Sequence, residues 1–161
     1  MRDSSLSACT QAVIAAEVGH VELAYDYFGE AALIDLDDLQ HNTRNGLHIA
    51  SLAGTWIAAV AGFGGMRDHD GVLSFSPRLP QALARLRFRV CFRARWLIVD
   101  IAHKEATYSL SKGPALEIVH HGENGTVDPR QPLTRPIPSP ARRKIPTQPP
   151  GRAPARRRPM R

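Results

Sequence analysis

Sulfur that could cross-link this chain is scarce: Cys9 and Cys91 are the two cysteines in 161 residues, and both fall in segments that read as core. A disulfide framework is therefore not expected, and a reducing cytoplasm is the simplest compartment. Long apolar runs are missing as well. The longest candidate, residues 47–63, is interrupted by His48, Ser51 and Thr55 and falls short of a membrane span. The N-terminus has no basic stretch followed by an apolar one, so it does not read as a secretion signal. Acid is nearly absent from residues 126–161, where Asp128 stands against ten Lys or Arg. That segment carries +9 and the rest of the chain −3, so the overall +6 and the isoelectric point near 10.0 describe the tail and not the body.

The same tail holds ten prolines and no aromatic residue. Proline removes backbone donors and like charges repel, so residues 126–161 read as a disordered, basic tail. Ten cations could hold an acidic surface or neutralise nucleic-acid phosphates, but nothing there can stack on bases. Nucleic acid is disfavoured as a partner, and no membrane partner is expected.

An apolar fraction of 43% permits a core of modest size. Asp3 or Ser4 can cap a first helix from about Ser5, in which Leu6, Cys9, Val13 and Ala16 recur at helical spacing up to Gly19. A second amphipathic helix is expected over residues 21–35, closed by Asp35, Asp37 and Asp38. Those acids read as a solvated loop, because no fixed ligand spacing supports a metal. The turn-prone run Asn42, Thr43, Arg44, Asn45, Gly46 then feeds a third helix over residues 47–63 with almost no polar face. Three helices cannot enclose one that is apolar all round, so the helical part expects further partners.

Beyond Gly62, Gly64 and Gly65 the period changes to two. Residues 72–77, 87–93, 97–102, 106–110 and 116–120 read as strands of a small antiparallel sheet or sandwich, with Arg87, Arg89 and Arg93 on its wetter face.

Two stretches, R-D-S-S-L-S-A-C from Arg2 and T-R-N-G-L-H-I-A-S-L-A-G-T-W from Thr43, resemble glycoside hydrolase family 65, which includes the maltose, trehalose and kojibiose phosphorylases. The resemblance covers about residues 2–123. It implies an α+β chain: three helices from the end of an (α/α)6 barrel in residues 1–66, a small antiparallel β-sandwich domain in 67–125, and the disordered tail in 126–161. It also implies inverting phosphorolysis of an α-linked glucose disaccharide, with inorganic phosphate as co-substrate, no cofactor, and β-glucose 1-phosphate as product. Water in place of phosphate would make the same scaffold a hydrolase. Family members are several times longer, and their catalytic acid lies upstream of the part seen here. The chain alone is therefore expected to be inactive, its partner being the missing part of the barrel. The reading from a different class is a non-enzymatic interaction protein that uses its exposed helices and basic tail.

The family loop matching residues 43–51 holds phosphate beside the anomeric carbon, which makes His48, Ser51, Thr43 and Gly46 the candidate phosphate- or substrate-binding residues. A helix N-terminus with a histidine and hydroxyls suits a dianion. Asn45 departs from the family's usual Asp, which removes a charge and keeps a turn-forming side chain. No catalytic acid is assigned, and Glu17 carries no mark of a base. Ser4, Ser5 and Ser7 read as a capped helix start. The run Arg67, Asp68, His69, Asp70, Gly71 reads as a polar turn, His120 and His121 as strand neighbours facing opposite ways, and Cys91 as a small core hydrophobe, so no metal site is expected.

Overall fold

The computed structural model describes residues 4–139, 144 and 146–155. Two compact units divide the chain after Gly62, and the described residues beyond 143 belong with the first.

The first unit holds α1 (Ser7–Glu17), α2 (Val21–Ala32) and α3 (Ile49–Ile57), the last running on into a π-helical turn, Ala58–Phe63. Ser4 Oγ accepts the Leu6 N–H at 3.3 Å ahead of α1, while Asp3 lies outside the described residues. The turn after α1 follows from Gly19, whose φ of 87° is open to glycine. It lets Gly19 N–H bond Ala16 O and His20 N–H bond Ala15 O, which satisfies the last carbonyls of the helix. Small residues make the helix contacts: Ala8, Cys9, Ala12, Ala15 and Ala16 are buried on α1, Ala24 and Ala31 on α2. At Gly54 of α3 a Cβ would lie 2.3 Å from Cys9 Sγ, so α1 and α3 approach as closely as they do because that side chain is absent.

The third helix is shorter than residues 47–63, since its regular part ends at Ile57, and it is uncovered on one side. Leu47, Ile49, Trp56 and Ile57 are each more than half exposed. That is the surface expected of a helix whose partners lie outside the three-helix unit.

The second unit contains two four-stranded sheets. One runs β1 (Arg67–His69), β2 (Val72–Phe75), β6 (Leu116–His120), β7 (Glu123–Val127); the other runs β3 (Leu86–Phe92), β4 (Arg95–Ile101), β5 (Glu105–Lys112), β8 (Leu133–Pro136). All pairings are antiparallel but β2 with β6, which is parallel. Alternation places Leu97, Val99 and Ile101 of β4 against Phe75, Ile118 and Val127, and the two sheets close one core around Tyr108.

Two sequence expectations change here. The β unit does not stop at residue 125: Val127 is core, and residues 133–136 add an edge strand to β5 through pairs such as Thr107 with Thr134. Proline is tolerated at that edge because an outer strand has one row of unpaired donors. Further on, Tyr27 donates to Arg152 O at 2.7 Å and Ala155 N–H to Glu30 Oε2 at 2.7 Å, so part of the expected tail lies along α2. The rest of that expected disorder, at 140–143, 145 and 156–161, lies outside the described residues. Cys91 is the second change: it is exposed and sits opposite Trp96 on the outer side of β3, where Arg87 and Arg89 also point.

Candidate functional site

The acids that close α2 organise the loop that follows. Asp38 Oδ1 accepts the N–H groups of Asn42 and Thr43 at 3.0 and 3.1 Å, which starts a single 3-10 turn, Thr43–Asn45. Asn45 N–H and Gly46 N–H close that turn on Asn42 O and Thr43 O. Gly46, with φ 122°, then redirects the chain into α3. Asp35 takes the next step: Oδ2 accepts the His48 N–H at 2.9 Å, and Oδ1 lies 2.6 Å from His48 Nδ1. One carboxylate thus fixes both the backbone and the ring of the residue that precedes α3.

The electrostatics follow from these bonds. The His48 side-chain hydrogen bond holds the Asp35 carboxyl below its usual range, and the Thr43 backbone N–H does the same for Asp38. With an ionised Asp35, Nδ1 of His48 must carry the proton and Nε2 faces away from the clamp. Among the described residues His48 Nε2 has no hydrogen-bond partner, and the side chain keeps 18% of its surface exposed. The buried Oδ1 of Asn42 is also without a partner among the described residues. A buried amide position with nothing to bond is a place where a ligand could act, since the amide can present either end.

Ser51 is placed differently. It is wholly buried, and its hydroxyl is directed to the carbonyls of Ser5 at 3.2 Å and Ala31 at 3.5 Å, its single proton serving one of them. It therefore ties the loop helix to the start of α1 and the end of α2. Through that bond the two family-like stretches meet, Ser5 from the first and Ser51 from the second, 46 residues apart in sequence. Thr43 is half-buried on the turn and Gly46 is exposed. The sequence reading missed Asp35 and Asp38 as braces; their side chains act 13 and 4 to 5 residues away, at separations no ligand pattern encodes.

In the β unit, His120 and His121 do not face opposite ways. Strand β6 ends at His120, and the left-handed φ of 47° at His121 turns its ring to 4.7 Å from its neighbour's. His120 Nε2 donates to Pro136 O at 3.0 Å, which leaves Nδ1 to accept from Tyr108 Oη at 2.7 Å. Burial lowers the pKa of both histidines and raises that of Tyr108. Among the described residues no group of three potential ligands could hold a metal ion, and no helix is long and apolar enough to cross a membrane.

Comparison with known proteins bears on both units. Residues 1–57 match the glycosyl hydrolase family 65 central catalytic domain and residues 66–127 the glycosyl hydrolase family 65 C-terminal domain. An uncharacterized glycosyl hydrolase of Mycobacterium leprae is 55% identical over 166 residues, which is 98% of this chain and 20% of that protein. The alpha,alpha-trehalose phosphorylase of Thermoanaerobacter brockii is 42% identical over 118 residues, 73% of this chain and 15% of that one. A solved structure of a human-microbiome protein assigned as a kojibiose phosphorylase superposes with a TM-score of 0.78 at 27% identity, covering 84% of this chain and 19% of its own. The chain thus spans about a fifth or less of the length of these relatives. Two matched domains in family order, with trehalose, maltose and kojibiose phosphorylases among the relatives, identify the chain as a member of glycoside hydrolase family 65.

Proposed function

We propose that the loop of residues 42–48 is the phosphate-side wall of a disaccharide phosphorylase site, completed by parts of a longer barrel. The observation that carries this is the Asp35–His48 clamp, which fixes the His48 backbone and ring on a braced turn at the head of α3 and leaves Nε2 without a hydrogen-bond partner among the described residues. In that reading phosphate attacks the anomeric carbon of an α-linked glucose disaccharide with inversion. The glycosidic C–O bond breaks and a carboxylic acid gives its proton to the leaving oxygen. His48, the Thr43 hydroxyl and the Gly46 backbone line the phosphate, and Ser51 anchors the loop from inside. Asp35 and Asp38 are held ionised by their hydrogen bonds, so neither is suited to be the acid at neutral pH.

In this reading the acid comes from the part of the barrel that the longer relatives have and this chain does not span, and without it these 161 residues would not turn over a disaccharide. The exposed apolar side chains of α3 support the missing barrel as its partner, in a reducing cytoplasm that suits two free cysteines. The same exposed face also supports the second reading, an interaction protein without catalysis. The deciding test is production of β-glucose 1-phosphate from trehalose, maltose or kojibiose with phosphate, using the full-length cellular product and its His48→Ala variant. Phosphate-dependent turnover that collapses in the variant supports the proposal. Turnover with water alone makes the protein a hydrolase, and a native product of 17.7 kDa with no turnover favours the interaction protein.

A further inference from the structure

Charge in the β unit is compensated on one side of the β3–β4 hairpin and not on the other. Arg85 and Arg87 both reach Asp100, Arg85 through a two-point contact. Beyond the hairpin turn the arrangement changes. Arg93 lies over the Phe92 ring at 5.2 Å, and Arg95 donates to Ala115 O and to Arg93 O, each at 3.2 Å. Among the described residues neither guanidinium has a carboxylate at ion-pair distance.

Both arginines line a half-open groove of about 570 Å³. Its other wall is the outer face of the first sheet, where Glu117 of β6 sits beside Thr126 of β7, and Val119 beside Asn124. The volume suits a ligand of one or two sugar rings. Two backbone features accompany the arginine wall. Gly71 makes room for Arg93, because a Cβ there would lie 2.0 Å from Nη2. Arg93 and Ala94 hold left-handed φ values of 49° and 60°, a tight turn that ordinarily takes Asn and Gly. A β-carbon residue held in that conformation at both turn positions is strained backbone, and such strain collects where a side chain must be aimed.

The chemistry of the lining selects the ligand. Two guanidinium groups without an ion-pair partner among the described residues call for an oxyanion, Arg95 offering the N–H groups that it does not give to Ala115 O and Arg93 O. Glu117 opposes a bare anion but accepts from hydroxyls, and the Asn124 amide and Thr126 hydroxyl both donate and accept. Phe92 and Val72 add apolar surface of the kind a sugar ring packs against. We propose that this groove binds a phosphorylated sugar, the phosphate on Arg93 and Arg95 and the hydroxyls on Glu117, Asn124 and Thr126. The site lies wholly in the β unit and does not depend on the phosphorolysis reading.

The test is amide chemical-shift titration of the 161-residue chain with glucose 6-phosphate, glucose and inorganic phosphate. Expected are saturable shifts at Gly71, Arg93, Asn124 and Thr126, with glucose 6-phosphate binding at least roughly tenfold tighter than either half alone. Arg93→Gln should weaken glucose 6-phosphate to the level of glucose, and Glu117→Gln should narrow the gap to inorganic phosphate by relieving the repulsion of the bare anion. Asn124→Ala, on the outer side of β7, repeats the test if Arg93→Gln does not fold. No saturable shift with any probe overturns the site. Inorganic phosphate binding as tightly as glucose 6-phosphate overturns its sugar half, and binding unchanged in both Arg93→Gln and Asn124→Ala overturns its placement.

Discussion

The two units solve the problem of burial in opposite ways. The β unit encloses its large side chains: Phe75, Leu97, Val99, Ile101, Tyr108 and Val127 are all fully buried inside two sheets of four strands. The helical unit encloses mostly alanines and leaves Ile49, Trp56 and Ile57 about half or more exposed. A closed core can hold its fold on local information. An open one holds its helices by close approach of small residues and keeps its apolar surface for something else. The candidate site is on the open unit, at the end of the helix that is least covered.

This contrast is broken most severely by opening the closed core. Phe75→Ala removes a fully buried ring that packs 5.1 Å from Tyr108. It should cost about 3–5 kcal/mol in urea unfolding of the β unit, with helical amide shifts unchanged. Loss of both units together would show that they fold as one. A smaller effect is expected at the closest helix approach. Gly54→Ala puts a methyl group where Cys9 Sγ already sits, and should cost about 1–3 kcal/mol by overpacking, read as lost helical ellipticity on thermal melting. A neutral result would mean that α1 and α3 can separate freely.

Acid should separate the units by pH. In the β unit, burial lowers the pKa of His120 and His121, so the unfolded chain takes up protons first. Stability of that unit should therefore fall as pH drops through about 6.5. In the helical unit Asp38 is depressed chiefly by the Thr43 backbone N–H, and the Asp35 carboxyl chiefly by its hydrogen bond to the His48 side chain. Each contribution is present above the ordinary carboxylate range and is lost as pH falls through the folded pKa, below about 4. Amide spectra recorded from pH 7 to 3 should show the β signals weakening first and the residue 42–48 signals last. In Asp35→Asn the late step should vanish at His48 and remain at Asn42 and Thr43, which Asp38 braces, and the ¹⁵N shifts of the His48 ring should no longer report a proton fixed on Nδ1. A ring unchanged in that variant would remove Asp35 as its positioning residue.

How far these features were legible follows from where their information lies. The period-two runs that made β2 to β6 were readable, because one face of each strand is buried in the fold itself. Strand β8 was not: Leu-Thr-Arg-Pro sits in a proline-rich context, and only the partner edge of β5 makes it a strand. The parallel β2–β6 pair was also hidden, since pairing direction leaves no mark on alternation. The turn before α3 could be read from Asn42 to Gly46, and the place of His48 at the head of the helix from the apolar run that follows it. Its two braces could not, because a carboxylate that reaches back across a loop looks in sequence like any solvated acid. Ser51 reads in sequence as a hydroxyl in the first turn of α3, and its complete burial against the Ser5 and Ala31 carbonyls is set by tertiary packing that the sequence does not display.

The smallest expected effect sharpens the comparison most. Trp56→Ser and Ile57→Ser change large apolar side chains that are 53% and 51% exposed. Neither should move the stability of the isolated chain by more than about 0.5 kcal/mol. What they should change is association: sedimentation of the wild-type chain should depend on concentration, and that of the double variant should not, because the apolar face meets its own copies when nothing else covers it. A double variant that unfolds would show instead that these side chains already pack within the unit, and the contrast between an open and a closed core would fail at its most exposed point.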